Sequence, residues 1–245
     1  MIIGQGTLIK NKHDNVEIEE YKMKILDERW LNEVIDLQMH VYDNLPNKDV
    51  LYVDSYDDML SDMEDGAKII GVLNSKKRLV AYRYIAFPGK DSRNLGYDID
   101  MPVDQLDSVV HLETTVVDPL YRGNSLQSLT LQAASKIVRE DGYRHLLCTV
   151  SPYNFYSLYN IMMNGLKIKS LKRKYGSEES GDEGLWRFIL HSDMEKRLFN
   201  PVDLVVSKWA NLDKQRELIE NGYVGYEIMK DTKQLNYIKF DEVSA

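Results

Sequence analysis

Between residues 27 and 45 the chain reads DERWLNEVIDLQMHVYDNL, and Trp30, Val34, Leu37 and Val41 return at intervals of three or four. That spacing places four apolar side chains on one face of a helix, with Asp27 positioned to cap it. Residues 16 to 25, just before it, predict a short strand. The stretch DSYDDMLSDMEDG predicts a second short helix, with acids near its positive end and Gly66 as its stop. AKIIGVLNSKKRLVAYRYIAF then predicts two strands joined by a tight turn at Asn74 and Ser75. Segment 88 to 108, PGKDSRNLGYDIDMPVDQLDS, is polar and without a period. It reads as a long loop, of the kind that covers a site or moves.

Downstream the pattern sharpens. VVHLETTVV is β-branched and strand-like, SLQSLTLQAASKIVRE is helical with Gly142 closing it, and RHLLCTV is the next strand. NFYSLYNIMMNGL predicts a helix ending at Gly165, followed by the strands KIKSLKRKYG and LWRFILHSD around an acidic, glycine-bearing turn. Beyond about residue 195 come a strand (VDLVVSKWA), a helix (DKQRELIEN) ending at Gly222, and two more strands. Pro201 and the weakly apolar stretch around it suggest a boundary, dividing the chain into 1–194 and a β-α-β-β extension, 195–245, packed on the same body.

The stretch VVDPLYRGNSLQSLTLQAASKIVRE, 116 to 140, runs from a strand through a turn straight into a helix. The first turn of a helix carries unpaired amides and partial positive charge, so this arrangement suits phosphate oxygens. Donors here are backbone N–H groups, which every residue except proline supplies. In VVHLETTVV, alternation places Val109, His111, Glu113, Thr115 and Val117 on one face. Same-face neighbours such as His111 and Glu113 stand about 7 Å apart, close enough to share a water.

Two strands, a long loop, an acid-bearing strand, VxPxYRG, a helix, a strand, then N-x-x-S and a second glycine-ended helix follow in that order. With VVDPLYRGN, TVSPYN and SLYNIMMNGL, this order resembles the GNAT superfamily of acyl-CoA-dependent N-acyltransferases over about residues 20 to 192. The family signature R/Q-x-x-G-x-G/A is matched by Arg122, Gly123, Asn124, Ser125, Leu126 and Gln127, with serine and glutamine where glycine or alanine is common. A turn already helical at Ser125 would accommodate the serine and let it cap the helix, and Gln127 could add a side-chain hydrogen bond. The resemblance implies an α+β fold: a twisted, mostly antiparallel sheet flanked by helices and splayed between VVHLETTVV and RHLLCTV. It implies acetyl-CoA as co-substrate, its pantetheine arm bonded by the backbone of Thr115, Val116 and Val117, and Asn154 both capping its helix and touching the cofactor. It implies direct attack of a primary amine on the thioester, with Glu113 as general base and His111 second. The tyrosine that often protonates the departing thiolate has no counterpart, because Ile161 stands at that position.

Composition narrows the partners. A net charge of −8 with dispersed Lys and Arg argues against nucleic acid and suits a cationic small-molecule or peptide amine as acceptor. Asp98, Asp100, Asp104 and Asp107, just before the Glu113 strand, are placed to attract such an ammonium. The lone Cys148 excludes an internal disulfide framework and reads as a small core residue, and histidines 13, 40, 111, 145 and 191 show no ligand spacing, so no metal is expected. With no apolar run near 18 residues and no signal-peptide pattern at its start, the chain is expected to be cytoplasmic and free of membrane contact. A monomer and a homodimer are both compatible with the sequence. Two other functions remain open at this point: acyl-CoA binding without turnover, and transfer of a longer acyl chain.

Overall fold

The structure is a computed structural model, and it describes residues 1–12, 15–176, 182–195 and 200–240. The chain folds into two compact units, residues 1–87 with 112–141, and residues 88–111 with 142–245. This division differs from the boundary expected near residue 195, because the C-terminal segment contributes strands to the second unit.

The first unit carries β1 (Ile2–Lys12), β2 (Asn15–Leu26), β3 (Lys68–Asn74), β4 (Leu79–Ala86) and most of β5 (Val109–Val117), adjacent in that order. The ladders β1/β2, β2/β3 and β3/β4 are antiparallel. Helix α1 (Leu31–Asp43) and helix α2 (Tyr56–Glu64) cover one face. Leu31, Val34, Leu37, Val41 and Met59 pack there with Ile69, Tyr82, Tyr84 and Val116. A fully buried side chain of this size contributes about 1.5 to 3 kcal/mol. The expected helix is therefore present, but its cap is not Asp27. A 3₁₀ turn, Glu28–Trp30, intervenes, and the Asp27 carboxylate is bound by Arg29 instead. Strand β1 is absent from the sequence-based expectation; its apolar positions are diluted by Gly4 and Gly6.

Helix α3 (Leu126–Glu140) completes this unit. In the second unit the strand order is β5, β6 (His145–Val150), β8 (Leu185–Asp193), β7 (Lys167–Lys174), β10 (Val224–Met229), β11 (Gln234–Phe240) and β9 (Pro201–Lys208). Every pairing there is antiparallel except β5/β6, which runs parallel from Val109↔His145 to His111↔Leu147. The parallel register ends there although β5 continues to Val117 and β6 to Val150. The architecture is α+β, a mostly antiparallel arrangement flanked by helices, as expected. β10 joins β7 at Gly225↔Ile168. A Cβ at Gly225 would lie 2.8 Å from the Ile168 Cβ, so only glycine allows this approach. Helices α4 (Phe155–Met163) and α5 (Leu212–Glu220) also belong to this unit.

Segment 88 to 108 is not an open cover. It forms two 3₁₀ turns, Leu95–Ile99 and Val103–Ser108, and buries Leu95, Met101 and Leu106 in a core with Val109, Leu147 and Ile189. Three apolar residues dispersed among acids and asparagines lack helical or strand period, which hides them from pattern reading. Among the described residues no helix is long and apolar enough to cross a membrane.

Candidate active site

The turn after β5 rests on a buried acid. Asp118 is fully buried, its side chain accepts the Leu120 N–H at 2.9 Å, and it pairs with Arg78 at 2.8 Å. Its own N–H reaches back to the Val80 carbonyl at 2.9 Å. Pro119–Tyr121 then forms a 3₁₀ turn, with the Tyr121 hydroxyl donating to Glu19 and accepting from Asn74. Arg122, Gly123 and Ser125 follow, exposed. Gly123 has φ of +87° and open space where a Cβ would be.

Ser125 corrects the sequence-based expectation. It is not helical but left-handed, with φ 56° and ψ 22°, and its side chain makes no capping bond. A left-handed L-residue costs about 1 to 2 kcal/mol. The outcome is a helix α3 whose first turn has neither a side-chain cap nor an acid. Two left-handed residues around Asn124 shape the turn that leads into it, the kind of backbone concavity that receives anions.

Asn124 and Gln127 are held by partners far away in sequence. The Asn124 side chain accepts the Ile9 N–H and donates to the Ile9 carbonyl, each at 2.7 Å, so it pairs with β1 as a strand would. The Gln127 carbonyl accepts from the buried Arg83 at 3.1 Å, and Arg83 also bonds Thr130 at 3.3 Å. Leu126 is buried, which leaves its backbone as the part able to meet a ligand. No local signal in the sequence points to Ile9 or Arg83.

On β5, Val116 enters the apolar core, Val117 and Glu113 are half-buried, and Thr115 carries a buried Oγ1 with no hydrogen-bond partner among the described residues. These residues and the turn 122–127 belong to the first unit. His111 and Asn154 belong to the second. His111 is buried, and its Nε2 accepts the Leu95 N–H at 3.0 Å, so that nitrogen already serves the fold. Asn154 caps α4 by accepting the Ser157 N–H at 3.1 Å. Ile161 is buried in α4, while Tyr153 and Tyr156 are exposed.

Sequence reasoning missed a group of polar residues around Asp54. Gln38, fully buried on α1, donates to the Asp54 carbonyl at 2.9 Å and accepts the Asp54 N–H at 3.3 Å. The Tyr82 hydroxyl donates to the same Gln38 at 3.0 Å, and the Tyr84 hydroxyl donates to Asp62. Thr114 bonds the Asp54 carboxylate, and the charges of Glu113 and Asp62 act on it. Burial, aided by these two acids, pushes the Asp54 carboxyl up to about 7. Burial likewise raises both tyrosines, with the bond to Asp62 adding to it at Tyr84. Gln38 lies on the helical stripe next to Leu37, and Asp54 reads only as one of the acids at the start of the second predicted helix.

No protein-family model matches the chain, and no curated protein sequence matches it either. Solved structures do. An N-acetyltransferase from Staphylococcus aureus Mu50 is 14% identical with a TM-score of 0.54, covering 71% of this chain and 98% of its own. YncA, a putative acetyltransferase from Salmonella typhimurium solved with its cofactor acetyl-CoA, is 13% identical with a TM-score of 0.53, covering 75% and 99%. A GNAT superfamily phosphinothricin acetyltransferase from Sinorhizobium meliloti in complex with AcCoA is 13% identical with a TM-score of 0.51, covering 71% and 88%. The chain has the GNAT fold.

Two features of the first unit are open to a ligand. The uncapped start of α3 offers backbone donors to phosphate oxygens, and the orphaned Thr115 Oγ1 suits a ligand that brings amide groups to β5. Among the described residues no three His, Cys, Asp or Glu side chains converge as metal ligands. Among the described residues His145 Nδ1 and His191 Nε2 meet at 3.1 Å, brought together by the β6/β8 register and invisible in the spacing.

Proposed function

We propose that the protein transfers an acetyl group from acetyl-CoA to a primary amine of a cationic small molecule or peptide. The observation that carries this reading is the start of α3, where left-handed Gly123 and Ser125 leave the helix without a side-chain cap. Backbone groups of Arg122 to Gln127 would hold the pyrophosphate and Thr115 to Val117 the pantetheine arm. Acetyl-CoA supplies the thioester, the amine forming its C–N bond as the C–S bond breaks and the thiolate leaves. Glu113 takes the proton that the ammonium must lose before its nitrogen can attack. His111, its Nε2 committed to Leu95, supports the loop rather than the proton transfer. Solvent supplies the proton that the thiolate takes up, since Ile161 has none to give.

Thermal unfolding with acetyl-CoA tests the binding half. Saturation at about 100 times the dissociation constant should add roughly 2.7 kcal/mol. Gly123→Pro should abolish the shift, because proline cannot adopt positive φ and lacks the amide, whereas Ser125→Gly should keep it. A melting transition unmoved at millimolar acetyl-CoA overturns the reading. Thiol release with a panel of primary amines then separates transfer from binding alone, and competition by palmitoyl-CoA separates acetyl from longer chains.

A further inference from the structure

The turn between β5 and α3 has left-handed residues on both sides of Asn124, Gly123 at φ +87° and Ser125 at φ +56°. Glycine takes that conformation freely, whereas serine is strained by it. The serine's own side chain gives no help, since it makes no capping bond. Support comes instead from a strand 115 residues away in sequence, β1, at the end of the strand order. The Asn124 side-chain amide commits its oxygen and both hydrogens. Its Oδ1 accepts the Ile9 N–H at 2.7 Å, and its Nδ2 donates to the Ile9 carbonyl at 2.7 Å and to the Tyr121 carbonyl at 2.8 Å. The first two bonds are those a neighbouring strand would make to Ile9, and the third closes the turn on itself. Asn11, also on β1, donates to the Arg122 carbonyl at 3.4 Å. From β4, the buried Arg83 donates to the Gln127 carbonyl at 3.1 Å.

We propose that β1 and Asn124 form a clamp that sets the turn 122–127 in its anion-receiving shape before a ligand arrives, with Asn124 as a positioning residue that keeps Ser125 left-handed. A serine at the start of a helix ordinarily takes extended backbone and turns its hydroxyl onto the amides of the first turn. That arrangement would withdraw those amides from a ligand. Held left-handed, Ser125 leaves them uncapped by its side chain. The clamp thus achieves by hydrogen bonding what glycine at this position achieves by its freedom. With the Asn124 side chain committed to β1 and to Tyr121, its backbone is the part left to meet the ligand. A ligand entering a turn already ordered loses less entropy on binding, so the clamp strengthens binding without touching the ligand. That the ligand is acetyl-CoA rests on the acetyl-transfer reading, whereas the clamp itself does not.

The test joins two measurements on the full chain. Without ligand, NMR should show at Ser125 the strong amide-to-Hα NOE of a residue with positive φ. Asn124→Ala should weaken that NOE and speed amide exchange at Ile9 about tenfold. In calorimetry with acetyl-CoA, Asn124→Ala should weaken binding about tenfold in the parent but only about twofold in the Ser125→Gly background, where the strain it restrains is gone. Ile9→Pro breaks the same contact from the other partner, and an edge strand tolerates proline where the N–H points away from its ladder. It should weaken the same NOE and add little to the effect of Asn124→Ala, because both remove one interaction. An affinity loss equal in the two backgrounds, or a Ser125 NOE that is weak in the parent or unchanged by Asn124→Ala, overturns the proposal. Should Asn124→Ala fail to fold, Ile9→Pro is read in its place with the same expectations and the same overturning results. If the parent does not bind acetyl-CoA while Asn124→Ala still abolishes the left-handed signal of Ser125, the transfer reading fails and the clamp stands.

Discussion

Asp98 and Asp54 are both half-buried aspartates, yet they keep opposite company. Asp98, in the 3₁₀ turn 95–99 of the second unit, receives Lys174 at 2.6 Å and Lys172 at 3.4 Å from β7. Asp107 in the same segment meets Lys90 at 3.1 Å. Asp54, in the first unit, lies within the field of the acids Glu113 and Asp62. By sequence alone the loop acids look like the ones that would draw a cationic acceptor, being numerous and directly before the Glu113 strand. The fold spends two of them on lysines. A charge already paired has little left for a ligand, while an acid surrounded by acids must find a proton or a cation. The role of a carboxylate is thus set by what strand assembly brings opposite it.

The sharpest way to break this comparison is to remove Glu113. Glu113→Gln should lower turnover about 10²- to 10⁴-fold, and leave the acetyl-CoA-induced rise in stability intact. Steady-state kinetics with saturating acetyl-CoA over pH 6 to 9 would check it. A variant with the parent's turnover across that range would place Glu113 among the merely structural acids, with Asp98.

What the sequence could disclose follows the same line. The α1 stripe of Val34, Leu37 and Val41, the glycine stops at 66, 142, 165 and 222, and the turn leading into α3 are local features, and each is found where its pattern placed it. Residues whose meaning depends on a distant partner were silent. Asn124 reads as part of a phosphate loop, and only the fold shows its amide committed to Ile9. Ser125 reads as a helix cap, and only the backbone shows it left-handed. Asp54 reads as one more acid at the start of a helix, because what distinguishes it, the burial of its carboxylate, is created by packing α1 and α2 on β4 and β5.

A second meeting of like groups lies in the other unit and makes the comparison quantitative. Burial lowers both His145 and His191, and His191, further repelled by His145, falls from 6.5 to about 3. The charged groups around the pair are Arg144, Lys169, Asp193 and Glu195. The unfolded chain binds a proton at His191 near pH 6.5, whereas the folded chain refuses it until about pH 3. Its contribution to stability is therefore fully present above 6.5 and is lost as pH falls toward 3, at about 1.4 kcal/mol per pH unit. Urea midpoints compared at pH 7 and 5.5 should show the loss, and His191→Leu should make it shallower. Equal midpoints in the parent would mean that the pair is solvated.

The smallest effect expected is at Asp98, and it sharpens the comparison from the paired side. Asp98→Asn removes the charge that Lys172 and Lys174 face, with the Asp98 side chain 17% exposed and Lys174 25%. Lys174 reaches its own way to solvent only in part, so the loss should cost about 0.5 to 1 kcal/mol of stability, read as a lower urea midpoint at constant slope. High salt should shrink the difference between parent and variant little, because a pair this sheltered is screened less than exposed charges are. The acceptor KM should stay within about twofold of the parent, since a carboxylate held by two lysines offers an ammonium little net attraction. A KM that rises tenfold in Asp98→Asn and also rises with salt in the parent would return acceptor recognition to segment 88 to 108, and would remove the reason for seeking it at Glu113.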